Sequence, residues 1–450
     1  MLWSLGAPIP LRTHRSTIAA RSALALALAI AAGRALAFHE GGVGACDGCH
    51  TMHNSSGGFA SAKGRAQFTG NQYLLQASDP SSTCLACHAN LSPGAANVLT
   101  PAPPQGLPPG NFTPGGDFGW LRKAWSWMGA TAAQTSPGER HGHNVVAVDY
   151  GLVPDATFLS APGGTYPSAR LSCTSCHDPH GRYRQGAGAF AMTTGAPIVA
   201  SGSYGGTGLV TPSGTAAVGT YRLLAGGGYA ASAGLPAFAA DPPVALSPLL
   251  YNQGEATAQV RVAYGAGMSE WCRNCHGGIH GDAAPGASPF SHPASSAQKL
   301  GSALDLYDRY IATGNLGGLQ ATAYWSIVPY EEGTTDRATL AAHATSDGSA
   351  TAGPSTGQEN VMCLSCHRAH ASGWDSGMRW NMRDRTISSG YVTVGGAWPG
   401  IDGIGDAALP ANAQGRTQAE TRGAMYDRDA SGYAPYQKAL CNKCHAQDGP

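Results

Sequence analysis

Charge is scarce in this 450-residue chain: only 12% of residues are Asp, Glu, Lys or Arg, and the formal net charge is +0. Without a basic excess, nucleic acid is removed as a partner, because phosphate binding needs a basic face. The same low charge, beside 42% hydrophobic residues, argues against ordinary disorder, which goes with high net charge and little hydrophobicity. Long apolar runs are missing too. The run from Ala23 to Ala32 is about half the ~20 residues that a membrane-spanning helix needs. There is no P-loop, no HExxH and no dinucleotide fingerprint. Aromatics are a modest 8%, whereas Gly (63) and Pro (30) together make about a fifth of the chain, against a usual ~12%. So much turn-former excludes a helical bundle or a regular sheet protein.

Arg12, Arg15 and Arg21 precede the short apolar run, and the small-x-small triplet Ala35-Leu36-Ala37 follows it. This is the three-part pattern of a secretory signal peptide. Residues 1–37 are therefore expected to be removed, leaving Phe38–Pro450. The leader carries Arg12, Arg15, Arg21 and Arg34 and no acid, so the remaining chain is net negative.

No cysteine stands alone. All twelve fall into Cys-x-x-Cys pairs, and His follows each pair at once: Cys46/Cys49/His50, Cys84/Cys87/His88, Cys173/Cys176/His177, Cys272/Cys275/His276, Cys363/Cys366/His367 and Cys441/Cys444/His445. Disulfides, the ordinary use of an even cysteine count in an exported protein, do not require a His at a fixed place. Structural zinc sites pair two such motifs or use looser His spacing. C-x-x-C-H is instead the c-type haem attachment signature. The two thiols form thioethers with the two vinyl groups on one porphyrin edge, and the next residue places its imidazole under the iron. Six haem c groups are expected, with the six motif histidines as proximal ligands.

Nine other histidines remain beyond the leader: His39, His53, His141, His143, His180, His280, His292, His343 and His370. Open-site haems would need none of them, so their number fits bis-histidine ligation. His53, His180 and His370 repeat one arrangement, C-x-x-C-H-x-x-H. Three residues cannot wrap around a macrocycle, so the second His is expected to serve a neighbouring haem. His280 follows the same logic one residue further on, through a looser Gly pair. His292 is stiffened by the following proline, which biases it toward extended backbone. His141 and His143 would share a face on a strand; one is expected to ligate, and His143 is favoured. His343 ends a short helix-like stretch, 336–344, and His39 opens the chain left by cleavage. These eight distal candidates exceed six irons, so the sequence leaves the choice among them open.

The motif spacings are irregular, which excludes a tandem array of one small module. Residues 91–116 contain seven prolines and read as an extended loop. Residues 145–150 and 261–264 alternate enough for short strands. Leu300, Ala303, Leu304, Tyr307 and Ile311 recur at helical spacing, best explained by packing. Asp427, Asp429, Ser431 and Gly432 resemble the start of a calcium loop, but Lys438 occupies the position of its final Glu, so a turn is the better reading. The expected fold is a multihaem cytochrome, residues 38–450 forming a single hexahaem domain: mostly irregular loops, with short helices and few short strands, wrapped around a haem chain that supplies the missing apolar core.

The stretches FHEGGVGACDGCHTMHNS, TPGGDFGW, GHNVVAVDY, APGGTYPSARLSCTSCHDPHG, RVAYGAGMSEWCRNCH, CLSCHRAHASG and APYQKALCNKCHA resemble the OmcS-type outer-surface hexahaem cytochromes of metal-reducing bacteria, an extracellular nanowire family. The resemblance runs from Phe38 to the C-terminus; His141 stands beside the family's Gly-His-Asn and is not part of it. It implies polymerisation into filaments with a continuous line of haems. It also implies that His53 ligates the haem attached through Cys363 and Cys366 of an adjoining subunit. Partners would be further copies of the chain, upstream periplasmic or outer-membrane cytochromes, and extracellular acceptors such as metal oxides. Irons with two strong ligands leave no site for substrate, which fits outer-sphere electron transfer, and bis-His ligation without Met favours low potentials. The competing reading is a multihaem reductase of a small oxyanion. It would need a five-coordinate iron or an altered proximal ligand, and all six motifs are complete.

Overall fold

A computed structural model describes residues 48–51, 55–56, 59–60, 73–89, 97–129, 131–180, 183–185, 192–194, 218–219, 223–246, 262–279, 294–301, 304, 329–344, 354–381, 414–424 and 426. The leader, Cys46, Cys441, Cys444, His445, His39, His53, His280, His292, most of the helix-patterned stretch after Leu300 and the calcium-like turn lie outside them.

Loops dominate, as the Gly and Pro content requires. The helices are α1 (Pro80–His88), α2 (Met268–His276), α3 (Arg337–His343), α4 (Cys363–Cys366) and α5 (Gln418–Ala424). Each has a local cause. In α1, Pro80 occupies the first turn, where its missing N–H costs nothing, and the Asp79 carboxylate accepts from Ser82 N at 2.8 Å. In α3, Asp336 caps in the same way, accepting from Thr339 N at 2.8 Å. The helix expected at 336–344 is thus present.

Nine strands are described, none longer than four residues. β1 (Ser55–Ser56) pairs with β2 (Phe59–Ala60), and β3 (Trp125–Met128) with β4 (Ala133–Ser136). β5 (Tyr183–Gln185) lies between β6 (Met192–Thr194) and β7 (Val218–Gly219), and β8 (Ala245–Leu246) pairs with β9 (Ala263–Tyr264). All pairings are antiparallel. The strand expected at 261–264 survives as β9. The one expected at 145–150 does not form: Val148–Tyr150 is a 3-10 turn, because Gly151 takes a left-handed φ of 65° and folds Leu152 back onto Ala147.

The largest apolar cluster gathers Leu85, Leu99, Phe118, Trp120, Trp125, Trp374 and Trp380 from distant parts of the chain. Asp117 holds its loop together. Its buried carboxylate accepts from Thr100 N, Thr100 Oγ1, Asn111 N, Asn111 Nδ2 and Gly119 N at 2.6–3.1 Å. Arg416 is fully buried between the faces of Trp125 and Trp374, its guanidinium carbon 4.2 and 4.5 Å from the ring centroids.

Irregular motif spacing conceals a local repeat. After the first, third and fifth motifs the residue following the His donates its N–H to a distant carbonyl: Thr51 to Leu74, Asp178 to Leu223 and Arg368 to Gly377, each at 2.7 Å. The carbonyl of each second cysteine accepts in return, Cys49 from Gln76, Cys176 from Ala225 and Cys366 from Arg379. The three receiving residues are all left-handed: Leu74 at φ 54°, Leu223 at φ 55° and Gly377 at φ 63°. A side chain in that region is uncommon, yet Leu74 and Leu223 both adopt it, and the recurrence of the turn beside three attachment motifs marks one building unit used three times. The second and fourth motifs lack this unit and end the longer helices α1 and α2.

Candidate haem sites

The attachment cysteines form a line in sequence order. Cys49 acts electrostatically on Cys84, the Cys84 and Cys173 thiols hydrogen-bond, Cys176 and Cys275 interact, and Cys272 and Cys363 hydrogen-bond. Serine hydroxyls tie these junctions: Ser81 Oγ accepts from Cys173 N at 3.1 Å, and Ser269 Oγ from Cys363 N at 3.0 Å. Both serines sit three residues before the first cysteine of a helical motif, so the second motif grips the third as the fourth grips the fifth.

Cys87 differs in exposure from the other described attachment cysteines. It is exposed, whereas the other eight described cysteines are half-buried. The cause lies in α1, which turns Ser81, Ser82, Thr83 and Leu85 inward and leaves Ala86 and Cys87 toward solvent on its last turn. Cys87 stands three residues after Cys84 on the helix, a spacing that makes the two neighbours on its surface, and an exposed thiol is open to a vinyl group.

Three imidazole pairs lie close together. His50 and His180 have ring centroids 6.3 Å apart with planes at 11°; His177 and His370 are 6.4 Å apart at 61°; His143 and His276 are 5.9 Å apart at 50°. Such separations alone fall within ordinary aromatic contact. Composition sets them apart, since each pair joins one motif histidine to one of the remaining nine. A metal–imidazole bond is about 2.0–2.1 Å, so two rings sharing one ion have centroids roughly 6 Å apart.

Tautomers agree with this. Nδ1 donates to a backbone carbonyl in His50 (Tyr73, 2.7 Å), His143 (Ala369, 2.6 Å), His276 (Pro162, 2.9 Å) and His367 (Ser376, 2.9 Å). A carbonyl can only accept, so Nδ1 carries the proton and Nε2 keeps its lone pair for a metal. His143 keeps an accessible edge, yet the surrounding protein desolvates it and, with His276, lowers its pKa to about 4. Burial lowers that of His276 as well. Both are therefore neutral, the form that ligates. The residues fit bis-histidine haem c.

His141 has a different environment. It is fully buried, Nδ1 donates to Trp120 O at 2.9 Å, Nε2 lies 2.9 Å from Ser136 Oγ, and its ring packs on Trp125. Burial lowers its pKa to about 3. With both nitrogens engaged it is part of the core.

His370 is placed by glycines. Its N–H donates to Gly115 O at 2.6 Å, its carbonyl accepts from His143 N at 2.9 Å, and Ala371 bridges to both Gly116 and Gly142. A Cβ on Gly116 would lie 1.8 Å from Ala371 O, one on Gly142 2.2 Å from His370 O, and one on Gly115 2.9 Å from the His370 ring. The GG of TPGGDFGW thus makes room for an imidazole, while Phe118 stacks on its other side at 4.7 Å. His343, at the end of α3, donates Nδ1 to the Glu332 carboxylate at 2.8 Å. No motif pointed to Glu332 or Phe118, whose roles arise from contacts across the fold.

The chain is 47% identical to the C-type cytochrome OmcS of Geobacter sulfurreducens over 435 residues, 95% of this chain and 98% of that protein. The chain belongs to the OmcS family of c-type cytochromes. Two solved structures agree: the cryo-EM structure of the OmcS nanowires from the same organism, with a TM-score of 0.79, and its Outer Membrane Cytochrome S filament, with 0.78. Each is 46% identical and covers 91% of this chain and 100% of that one. No family profile matches. As an OmcS-family cytochrome with six complete C-x-x-C-H motifs, the chain carries six haem c groups and transfers electrons. The reductase reading is not favoured.

Proposed function

We propose that the chain is exported by cleavage after Ala37 and forms a subunit of a head-to-tail filament outside the cell. There it receives electrons from upstream periplasmic or outer-membrane cytochromes and delivers them to acceptors such as metal oxides. The observation that carries this reading is the contact between motifs: Ser81 and Ser269 tie the second to the third and the fourth to the fifth, and the motif imidazoles His50, His177 and His276 each lie beside a second histidine. A bis-histidine haem supplies an iron that exchanges one electron without binding substrate. The protein's part is to hold successive attachment points side by side and to fix each ring's tautomer from behind.

In this reading the axial pairs are His50 with His180, His177 with His370, and His276 with His143. His53 serves the haem of His367 in a neighbouring subunit. The remaining proximal ligands, His88 and His445, draw partners from His39, His292, His343 and His280. Among the described residues, no helix is long and apolar enough to cross a membrane.

The test is cryo-microscopy of filaments sheared from cells, joined to spectroscopy of the same material. A continuous haem line through successive subunits, with an all-low-spin oxidised spectrum indifferent to carbon monoxide, is expected. A monomer with a carbon-monoxide-binding haem would overturn the reading.

A further inference from the structure

His343 has a carboxylate behind its ring, where several other described imidazoles have a backbone carbonyl. Those of His50, His143, His276 and His367 donate Nδ1–H to neutral backbone carbonyls. His343 donates to a carboxylate, Glu332 Oε2, at 2.8 Å. Asp178 is also close to His180 Nδ1, but at 4.0 Å it is beyond hydrogen-bond range, and its Oδ1 accepts the His180 backbone N–H at 3.0 Å.

Both members of the pair are fixed by structure. The Glu332 side chain is 3% exposed, and its backbone N–H donates to Tyr264 O on β9 at 2.7 Å. His343 ends α3, whose Leu340 is fully buried against Val244, Leu246 and Ala263 on and beside β8 and β9. Carboxylate and imidazole thus meet at one short sheet, with little freedom to separate. Burial strengthens the interaction, since a charge-assisted hydrogen bond out of water is screened little.

We infer that Glu332 is a positioning residue for the haem that His343 serves, holding its reduction potential below the value a carbonyl-backed imidazole would give. The inference rests on the reading of His343 as an axial ligand. A carboxylate accepting Nδ1–H draws the proton toward itself and leaves more electron density on Nε2. Such partners orient the ring and raise ligand basicity. A more basic ligand favours ferric over ferrous iron, and second-shell hydrogen bonding is one of the levers by which a protein sets haem potential. One site in the relay is thereby offset from its neighbours by a single side chain.

The experiment uses the six-haem holoprotein in three variants. Glu332→Gln keeps shape and removes the charge; Glu332→Asp keeps the charge and shortens its reach; His343→Ala removes the ring. In Glu332→Gln, EPR should still report only low-spin haems, while spectroelectrochemical titration shows one of six midpoints moved in the positive direction. Glu332→Asp should move the same midpoint by less. Six unchanged midpoints in Glu332→Gln overturn the inference, as they would in Glu332→Asp should the Gln variant fail to accumulate. The underlying reading fails in a different way. His343→Ala should turn one haem high-spin, and six low-spin haems in that variant would take His343, and with it Glu332, away from the iron.

Discussion

The imidazole rings of His50 and His180 have centroids 6.3 Å apart and planes within 11° of parallel, although the first motif and the third lie far apart in the chain. The offset recurs two motifs further on, where His370 of the fifth motif faces His177 of the third. In each case the histidine three residues beyond one motif reaches back past an intervening motif. The unit is the same each time: a returned N–H, a left-handed receiving residue and an exchanged hydrogen bond at the second cysteine. Spectroscopy can test the His50–His180 pair. His180→Ala should leave six thioether-bound haems by mass spectrometry and convert one to high-spin by EPR. A wholly low-spin spectrum would remove His180 from the iron.

His141 and His143 should part company under substitution. His141→Gln removes a ring with both nitrogens engaged, at Trp120 O and Ser136 Oγ. It should destabilise the holoprotein by about 1–3 kcal/mol, the usual cost of leaving buried polar groups unpaired, with all haems still low-spin. His143→Ala should instead yield one high-spin haem. Denaturation curves and EPR on the two variants check both halves.

The attachment chemistry was readable in the sequence because thioether formation dictates fixed spacing. The general character of the fold was readable because Gly and Pro dictate turns. Other features depend on contacts that spacing does not encode. His141 and His143 are two apart and chemically alike, and only Trp120, Ser136 and Trp125 arriving from elsewhere put one of them in the core. Cys84 and Cys87 belong to one motif, yet the packing face of α1 leaves the second of them exposed. Residues 145–150 alternate like a strand, but one left-handed Gly151 turns them back. The three-fold unit does not show in the spacing because its partners, Leu74, Leu223 and Gly377, follow their motifs at unequal distances.

Asp117 should prove essential for stability without touching any haem. Five donors from three residues converge on it, and hydrogen bonds to a charged acceptor are worth about 1.5–3 kcal/mol each. Asp117→Ala should cost more than about 3 kcal/mol, and Asp117→Asn, which retains one acceptor oxygen, less. Thermal denaturation of the holoprotein measures this, and equal stability of wild type and Asp117→Ala would show the cluster to be dispensable.

Glu331 should make stability depend on pH. It is fully buried and accepts from Met268 N at 2.8 Å and Asn360 Nδ2 at 2.7 Å. Burial raises its pKa from 4.5 to about 7, with Glu270 adding to the rise and the hydrogen bonds opposing it. The folded protein therefore holds a proton that the unfolded chain releases. Its stabilising effect is complete below pH 4.5 and is lost as pH rises through about 7, by about 1.4 kcal/mol per pH unit in between. His141 acts in the opposite sense: lowered from 6.5 to about 3, it gives stability that is present above pH 6.5 and lost as pH falls toward 3. The difference between wild type and Glu331→Gln isolates the carboxyl. It should favour wild type most at pH 4.5 and shrink toward pH 7; a difference independent of pH would show that Glu331 does not titrate in this range.

The offset of two motifs also bears on assembly. His180 reaches from the third motif to the first, and His370 from the fifth to the third. His53 stands in the same place beyond the first of the six motifs. Continued across a head-to-tail contact, the same step arrives at the fifth motif of a neighbouring subunit, the haem of His367. Nδ1 of His367 donates to Ser376 O, as the Nδ1 atoms of His50 and His276 donate to carbonyls in the other motifs. A head-to-tail contact that does not close into a ring propagates as a filament, and this one would contain a coordinate bond at every joint. His53→Ala should keep six thioether-bound haems, turn one per subunit high-spin and abolish filaments. Added imidazole should restore the low-spin spectrum but not the polymer, because it fills the coordination position without joining two chains. Filaments of normal length from the His53→Ala protein would refute the bridge.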